Sequence, residues 1–268
     1  MKQTHITGNT YYIDIHGTST GIYYLTEKDI VLIDSGGRFS LEFLSWLKDE
    51  SLNVKAVIHT HIHEDHVANT DKIYDTYKAN LFARQKDIDD SYGYLRRTDK
   101  LMPNKGTIII DGAKFKTILT PGHTMGHQLV ITPDNVCFLG DALMTKKSLD
   151  ASKLPYQLDG IEFLRCHKTI AETSYPYYVA SHKGLVRPEE ISYLIDINQE
   201  KLNRIYEGIL IHTVAGESVK DAAMAYLKDM GISERTLSNH YWIPEMIKDR
   251  IYELALMGKI KVKKGVIL

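Results

Sequence analysis

The sequence predicts an α/β protein with two strand-rich halves followed by a helical tail. Short apolar runs typical of buried strands alternate with segments whose apolar residues recur at helical spacing. Asp-Gly, Pro-Gly and Pro-Asp pairs separate the strand-like runs in the middle of the chain, as turns would. The pattern changes near Pro188, so we expect one domain over residues 1–188 and a small, mainly helical domain over residues 189–268.

The first half predicts a strand meander, a helix and a strand that leads into a histidine-rich loop. One helix is expected after Ser40, whose hydroxyl suits an N-cap, and a second is expected to begin near Asp65. Residues 85–106 lose periodicity and predict a long loop or a short helix, either as a pocket wall or as plain surface. Strands are expected at residues 11–15, 21–25, 30–33, 54–58 and 80–83.

The second half repeats this alternation before the helical tail. Its strands are expected at residues 107–110, 115–119, 128–131, 136–139 and 177–180, with a helix over 161–173. The tail predicts helices and a closing strand pair, an order that resembles a winged-helix module. These tail elements are expected at about 190–213, 217–229, 234–240, 245–257, 259–262 and 266–268.

Composition argues against a strongly charged partner. Lys and Arg number 33 against 34 Asp and Glu in 268 residues, which leaves no field to attract a polyanion. The tail is also nearly balanced, so a packing or pocket-capping role is favoured there over nucleic-acid binding. The polar N-terminus and the lack of a long apolar run predict a cytoplasmic protein without a membrane span. Cys137 and Cys166 are expected to be buried free thiols.

The loop after residues 54–58 concentrates metal-binding side chains. In an extended segment, residues two apart project to the same side, so His61 and His63 can bind one ion while Asp65 and His66 face a neighbouring one. Further ligand types follow other strand-like runs in loop contexts. These are His123 in Thr-Pro-Gly-His-Thr, Asp141 in Leu-Gly-Asp, and His182 in Ala-Ser-His-Lys-Gly.

These segments together resemble the metallo-β-lactamase superfamily, and they occur in the family's order over roughly residues 10–185. The segments that carry the resemblance are Ile33-Asp34-Ser35-Gly36-Gly37, His61-Ile62-His63-Glu64-Asp65-His66, Thr120-Pro121-Gly122-His123-Thr124, Gly140-Asp141 and Ser181-His182. The resemblance implies the family's four-layer αββα sandwich. It also implies that Asp34 orders the metal loop by hydrogen bonding and that Glu64, His59 and His127 are not ligands.

The resemblance further implies a dinuclear site in which Asp141 bridges the two ions. One ion would be bound by His61, His63 and His123, and the other by Asp65, His66 and His182. The expected cofactors are two divalent ions, with zinc favoured and iron or manganese also suited to imidazole and carboxylate donors.

Such a site predicts hydrolysis of a small molecule by hydroxide. Bound cations lower the pKa of water from about 15.7 to roughly 7, so no serine or cysteine nucleophile is needed. The expected substrate is a small ester, lactone, thioester or amide, with Asp141 and Asp65 in catalytic roles and Asp65 as proton shuttle. Substrate contacts are expected from residues 85–106, where the candidates are Tyr92, Tyr94, Arg96 and Arg97.

Three alternatives stay open from the sequence. A ribonuclease of the same superfamily would use the same ligands, although the neutral charge balance disfavours RNA. A persulfide-dioxygenase-like oxidoreductase would hold a single iron on His61, His123 and Asp141. A non-catalytic metal-binding module is the third alternative.

Overall fold

The structure is a computed structural model that describes residues 1–90 and 93–268. Its main body consists of two β-sheets packed face to face, with helices against the outer face of each sheet. This arrangement confirms the αββα architecture expected from the sequence. A helical tail with a two-stranded sheet completes the chain.

The first sheet has seven strands that follow one another in chain order. The strands before residue 34 form an antiparallel meander, whereas those after it pair in parallel through helical connections. The strands are β1 (Thr4–Thr7), β2 (Thr10–Ile15), β3 (Thr18–Tyr24), β4 (Asp29–Ile33), β5 (Asn53–Ile58), β6 (Asn80–Ala83) and β7 (Leu101–Pro103).

Helices cover the outer face of this sheet. Phe43, Leu47 and Ile73 are completely buried there against sheet residues such as Leu32 and Val57. The Ser40 hydroxyl accepts a hydrogen bond from the Phe43 N–H at 3.1 Å, which confirms the predicted N-cap. The helices are α1 (Leu41–Asp49), α2 (Glu64–Val67), α3 (Thr70–Tyr77) and α4 (Gln85–Asp89).

The second sheet has six strands and brings three of the site loops to one edge of the sandwich. Its sheet order is β13, β12, β11, β10, β9, β8, and only β11 and β12 are parallel. The strands are β8 (Thr107–Ile110), β9 (Ala113–Leu119), β10 (Gln128–Ile131), β11 (Val136–Phe138), β12 (Tyr177–Ala180) and β13 (Gly184–Val186).

The two sheets meet in a dry apolar layer. Val31 and Ile58 of the first sheet and Phe115, Val130 and Phe138 of the second are all buried in it. The sheets approach so closely that a Cβ on residue 21, a glycine of β3, would lie 2.5 Å from the Phe138 ring. The layer fixes the relative position of the strand ends that carry the site loops.

The tail packs on the helical layer of the second sheet. Phe163, Leu202 and Ile247 belong to one continuous apolar cluster, so both parts of the chain share a core. The division of the chain at residue 188 stays a prediction. The elements involved are α5 (Lys146–Ala151), α6 (Gly160–Ala171), α7 (Glu190–Ile211), α8 (Val219–Asp229), α9 (Glu234–Asn239), α10 (Trp242–Leu256), β14 (Val262–Lys263) and β15 (Val266–Ile267).

Most predicted elements are confirmed, and the exceptions are short. The predicted second helix is split into α2 and α3 because Asn69 leaves the helix pattern. Its side chain accepts from the Ser40 N–H and donates to the Ser35 and Arg38 carbonyls. The sequence missed β1, β7, β13 and α5, which are six residues or shorter. Both cysteines are buried and free, as expected. Within residues 1–90 and 93–268, no helix is long and apolar enough to cross a bilayer.

Candidate metal centre

The predicted ligands come together at one edge of the sandwich. The loop that starts at His61 follows β5, His123 lies beyond β9, Asp141 beyond β11, and His182 beyond β12. The part of the chain that the structure describes holds two groups of potential metal ligands. Within each group, the donor atoms all lie within 4.8 Å of one another. The first group is His61, His63 and His123; the second is Asp65, His66, Asp141 and His182.

Asp141 faces both groups with different oxygens. Its Oδ2 lies 3.6 Å from His123 Nε2 in the first group. Its Oδ1 lies 3.5 Å from His66 Nε2 and 3.4 Å from His182 Nε2 in the second. One carboxylate therefore stands between two sets of imidazoles, as a bridging ligand would.

Hydrogen bonds fix which imidazole nitrogen points inward. The Nδ1–H of His66 donates to Asp34 Oδ2 at 2.9 Å. The Nδ1–H of His123 donates to the Tyr156 carbonyl at 3.1 Å, and that of His182 to the Gly17 carbonyl at 2.9 Å. With Nδ1 bonded in this way, Nε2 of each ring is the atom that faces the centre, where it can bind a cation once any proton on it has been released.

Two buried ring nitrogens within the ligand groups have no protein partner. His61 Nε2 and His66 Nε2 are inaccessible to solvent and lack a hydrogen-bond partner among the described residues. Buried polar atoms are normally paired, and an unpaired one needs an explanation. Imidazole and carboxylate donors at these separations suit divalent cations. The residues present therefore fit bound divalent metal better than they fit a metal-free protein.

Burial and neighbouring charges set different protonation states in the two groups. Burial lowers the pKa of His61 and His123 well below the usual value, and it lowers that of His63 to about 4. The hydrogen bond to Asp141 raises the pKa of His182 to about 9, despite partial burial. The first group is therefore neutral, the form that binds metal, whereas a cation entering the second group displaces protons.

Asp34 is hydrogen-bonded to the metal loop on the side away from the two ligand groups. Its carboxylate accepts hydrogen bonds from the Thr60 N–H and hydroxyl at 2.8 and 2.7 Å, in addition to the bond from His66. Burial would raise the pKa of Asp34, but His66 and His59 hold it well below its usual range. The residue has a φ of 59°, a conformation that non-glycine residues seldom adopt. The predicted ordering of the metal loop by Asp34 is confirmed.

Replacing Asp34 with asparagine is expected to weaken metal binding by the second group. The amide would donate to His66 Nδ1 and so force the proton onto Nε2, the atom that faces Asp141. We expect a loss of metal affinity of about 10- to 100-fold, measured by competition with a chromophoric chelator. Asp111→Asn, at an exposed carboxylate paired with Lys55, is the matched control. Equal affinities in the two variants would contradict this role.

Asp87 joins the two loops that carry the first group, and sequence reasoning missed it. Its carboxylate accepts from the Ile62 N–H at 3.2 Å, the Thr124 hydroxyl at 3.0 Å and the Gly126 N–H at 2.7 Å. A Cβ on Gly126 would lie 2.4 Å from Asp87 Oδ1, so glycine is required there. Burial raises the pKa of Asp87 to about 6.

The two further histidines of the motifs lie behind the ligands. His127 Nε2 accepts from the Asp141 N–H at 3.0 Å, and its Nδ1–H donates to the Thr120 hydroxyl. Gly140, the residue before Asp141, has a φ of 55°, and a Cβ on it would lie 2.4 Å from His127 Nε2. His59 is completely buried beneath the loop. Both imidazoles are placed to position the centre, as expected, and neither belongs to the two ligand groups.

A pocket of about 370 Å³ opens beside His63. Among the candidates for substrate contact, Tyr94 lines it, but Arg96 and Arg97 bind Asp71 and Asp75 instead. Tyr92 lies outside the described residues. Asp87 and Asp90 also line it and lie in the segment 85–106 that was predicted as a possible pocket wall. Ile62, Thr124, Tyr156 and Leu158 were not predicted, because they are far apart in the chain. The full lining is Ile62, His63, Asp87, Asp90, Tyr94, Thr124, Tyr156 and Leu158.

The acidic pair of the metal loop lies at the mouth of the centre. Glu64 is exposed, as expected for a residue that is not a ligand. The Asp65 side chain is 47% exposed, and its Oδ2 lies 3.6 Å from His182 Nε2. Asp65 therefore belongs to the second group and also reaches solvent.

Comparison with known proteins assigns the family. Residues 14–187 match the metallo-beta-lactamase superfamily, so the chain belongs to it. A beta-lactamase domain protein from Burkholderia ambifaria superposes with a TM-score of 0.70 at 13% identity, covering 99% of this chain and 93% of that one. This similarity extends the shared fold through the helical tail.

Two curated relatives each match a little under half of the chain. The hydroxyacylglutathione hydrolase of Buchnera aphidicola is 33% identical over 46% of this chain and 47% of its own length. A probable polyketide biosynthesis zinc-dependent hydrolase of Bacillus subtilis is 27% identical over 46% of this chain and 53% of its own length. The chain thus spans about half the length of these relatives.

Proposed function

We propose that the protein is a dinuclear metal-dependent hydrolase of a small ester, lactone, thioester or amide. The observation that carries this proposal is the position of Asp141 between two groups of donors. In the proposal, His61, His63 and His123 bind one ion, Asp65, His66 and His182 bind the other, and Asp141 binds both. A single iron on His61, His123 and Asp141 would leave the second group of donors unused. The presence of that group therefore supports a site for two ions over a dioxygenase-like site for one.

The bound cations would supply a nucleophilic hydroxide near neutral pH and polarise the substrate carbonyl. Residues of the chain would position the ligand loops and transfer the proton. Asp87 holds the loops of Ile62 and Thr124 together, which fixes the three imidazoles of the first group. Asp65, at the mouth of the centre, is placed to pass a proton to the leaving group.

Zinc is the favoured metal. Imidazole with carboxylate is a common zinc donor set, and a similar protein is named as zinc-dependent. Iron and manganese suit the same donors, so cellular supply would decide between them. The hydroxyacylglutathione hydrolase among the relatives supports thioesters as the first substrates to test.

Metal removal is expected to abolish activity reversibly. We expect protein treated with excess chelator to lose at least about 99% of its activity on a thioester such as S-benzoyl-N-acetylcysteamine, because removal of an active-site donor alone costs about 100-fold. Two equivalents of zinc should restore it. Protein incubated with chelator already saturated with zinc is the control. Full activity after complete removal of metal, or no hydrolysis of ester, lactone, thioester and amide panels by the zinc-loaded protein, would overturn the proposal.

A further inference from the structure

The pocket beside His63 has an aromatic wall that extends away from the metal centre. The His63 ring lies 5.1 Å from the Tyr156 ring and 6.0 Å from the Tyr94 ring, centroid to centroid. Tyr156 is in turn backed by Trp242 of α10, with their centroids 5.0 Å apart. Leu158 adds an apolar surface that is 39% exposed. These faces suit an apolar or aromatic group of a substrate.

The charged residues of this pocket are all acidic. Among the described lining residues, Asp87 and Asp90 carry charge and no Lys or Arg is present. The oxygens of Asp87 are occupied by the three donors from the metal-site loops. Asp90 is exposed at the rim and makes no side-chain hydrogen bond or ion pair within the described part of the chain. Asp90 is therefore the carboxylate that is free to act on a substrate.

Arg96 and Arg97 do not neutralise the negative charge of the pocket, because each is paired with another carboxylate. Arg96 Nε lies 3.2 Å from Asp71, and Arg97 Nη2 lies 2.6 Å from Asp75, so both guanidiniums are held on α3. A second carboxylate pair lies toward the mouth, where Glu64 and Asp65 act electrostatically on Tyr94. An anionic group at the end of the pocket away from His63 would thus meet Asp90 and no Lys or Arg among the described lining residues.

The arrangement separates the two ends of a substrate. His63 belongs to the first group of donors, whereas Asp65, the proposed proton shuttle, belongs to the second. A leaving group directed toward Asp65 places the acyl group on the opposite side of the scissile carbonyl, toward His63 and the tyrosines. The pocket is then the acyl subsite, on the side of the scissile carbonyl away from the leaving group.

We propose that this subsite selects substrates whose acyl group is apolar or aromatic and either uncharged or cationic, and that Asp90 disfavours acyl groups bearing a carboxylate. The proposal rests on the proposed hydrolase function. An ammonium group would gain from Asp90 and from the tyrosine faces, which attract cations. Two like charges about 4 to 8 Å apart near a protein surface repel strongly enough for a discrimination of about tenfold.

Three thioesters of N-acetylcysteamine that share a para-substituted phenylacetyl frame test this proposal. Their acyl groups are 4-ethylphenylacetyl, 4-(aminomethyl)phenylacetyl and 4-carboxyphenylacetyl, which are closely matched in size and differ mainly in distal charge. For the zinc-loaded protein, we expect kcat/KM to be at least about tenfold lower for the carboxylate than for the other two. Equal or faster hydrolysis of the carboxylate would overturn the proposal.

Asp90→Asn is the decisive variant. It should lower the ratio of kcat/KM for the amine over the carboxylate by about tenfold, while Asp111→Asn, an exposed control, should keep that ratio. An unchanged ratio in Asp90→Asn would also overturn the proposal.

A binding measurement separates this inference from the proposed function. Ketone analogues, in which a methylene replaces the thioester sulfur, cannot be hydrolysed and can be titrated calorimetrically into the same protein. We expect the carboxylate analogue to bind about tenfold more weakly than the other two. If no thioester is hydrolysed but this order holds, the proposed reaction fails and the subsite stands. If the thioesters are hydrolysed and the three analogues bind equally, the subsite fails and the reaction stands.

Discussion

Replacing Asp141 with alanine is expected to remove at least one cation and to lower kcat/KM by at least about 100-fold. Its two oxygens lie 3.6 Å from His123 of the first group and 3.4 Å from His182 of the second. No other carboxylate in the described chain belongs to the centre except Asp65, which is half-exposed. Loss of Asp141 also removes one negative charge and its two oxygen donors from between the two proposed cations, and neutral imidazoles cannot replace that charge.

The measurement is metal content by mass spectrometry together with hydrolysis by the same preparation. Asp111→Ala is the matched control, because it removes a carboxylate that is exposed and far from the ligand groups. That control should keep two ions and wild-type activity. An Asp141→Ala protein with two ions and full activity would remove Asp141 from the ligand set.

Replacing Arg250 with methionine is expected to lower the free energy of unfolding by about 3 to 5 kcal/mol. Arg250 is 1% exposed and forms a buried ion pair with Glu253, which also accepts from the Tyr206 hydroxyl. Glu253 Oε1 further accepts from the Gly160 N–H at 2.9 Å. Removing the guanidinium leaves Glu253 as a buried charge without its cation.

The same substitution should weaken metal binding by the first group. Arg250 Nη2 donates to the Gln157 carbonyl at 2.6 Å, and the adjacent Tyr156 carbonyl is the acceptor that orients His123. Without the Arg250 hydrogen bond, the Tyr156–Gln157 backbone is held less firmly, and the His123 ring that it orients can rotate. We therefore expect metal affinity to fall about tenfold at temperatures where the variant is still folded. α10 is thereby connected to the metal centre through two consecutive carbonyls.

Denaturant unfolding of the metal-free protein and chelator competition measure these two effects. Arg204→Met is the matched control, because Arg204 makes an exposed ion pair with Glu200 whose loss should cost no more than about 1 kcal/mol. A stability for Arg250→Met within about 1 kcal/mol of the wild type would contradict the buried pair. Unchanged metal affinity in a destabilised variant would instead contradict the link to His123.

The sequence was most informative where the signal is local. The spacing of His61, His63, Asp65 and His66 can be read from one short segment, because residues in an extended loop alternate in direction. The apolar runs before that loop and before Asp141 are short buried strands, which have a clear sequence pattern. The fold and the convergence of the loops followed from these patterns together with the family resemblance.

The supporting residues have no local signal. Asp87 acts on Ile62 and Thr124, and Arg250 acts on Gln157, so each contact joins segments that only the folded chain brings together. Their immediate sequence neighbours carry no motif, and Asp87 lies in a stretch without periodicity. The part of the pocket wall outside residues 85–106 was missed for the same reason, since Tyr156 comes from a loop after α5 and its backing residue Trp242 from α10.

The short elements were missed for a different physical reason. β1 has no buried residue, and α5 buries one residue, Leu149, so neither shows an apolar period. β7 ends at Pro103, a residue that argues against a strand when the sequence is considered alone. Edge position explains why this proline is tolerated, because β7 is the last strand of its sheet.

The number of metal ions bound per chain tests the central claim most directly. Protein purified without added metal, analysed by inductively coupled plasma mass spectrometry and then titrated with zinc, should reach two ions per chain. Both sites should fill in the wild type, and one should be lost in Asp141→Ala. Saturation at a single ion, or a single tightly bound iron in place of zinc, would contradict a dinuclear hydrolytic centre.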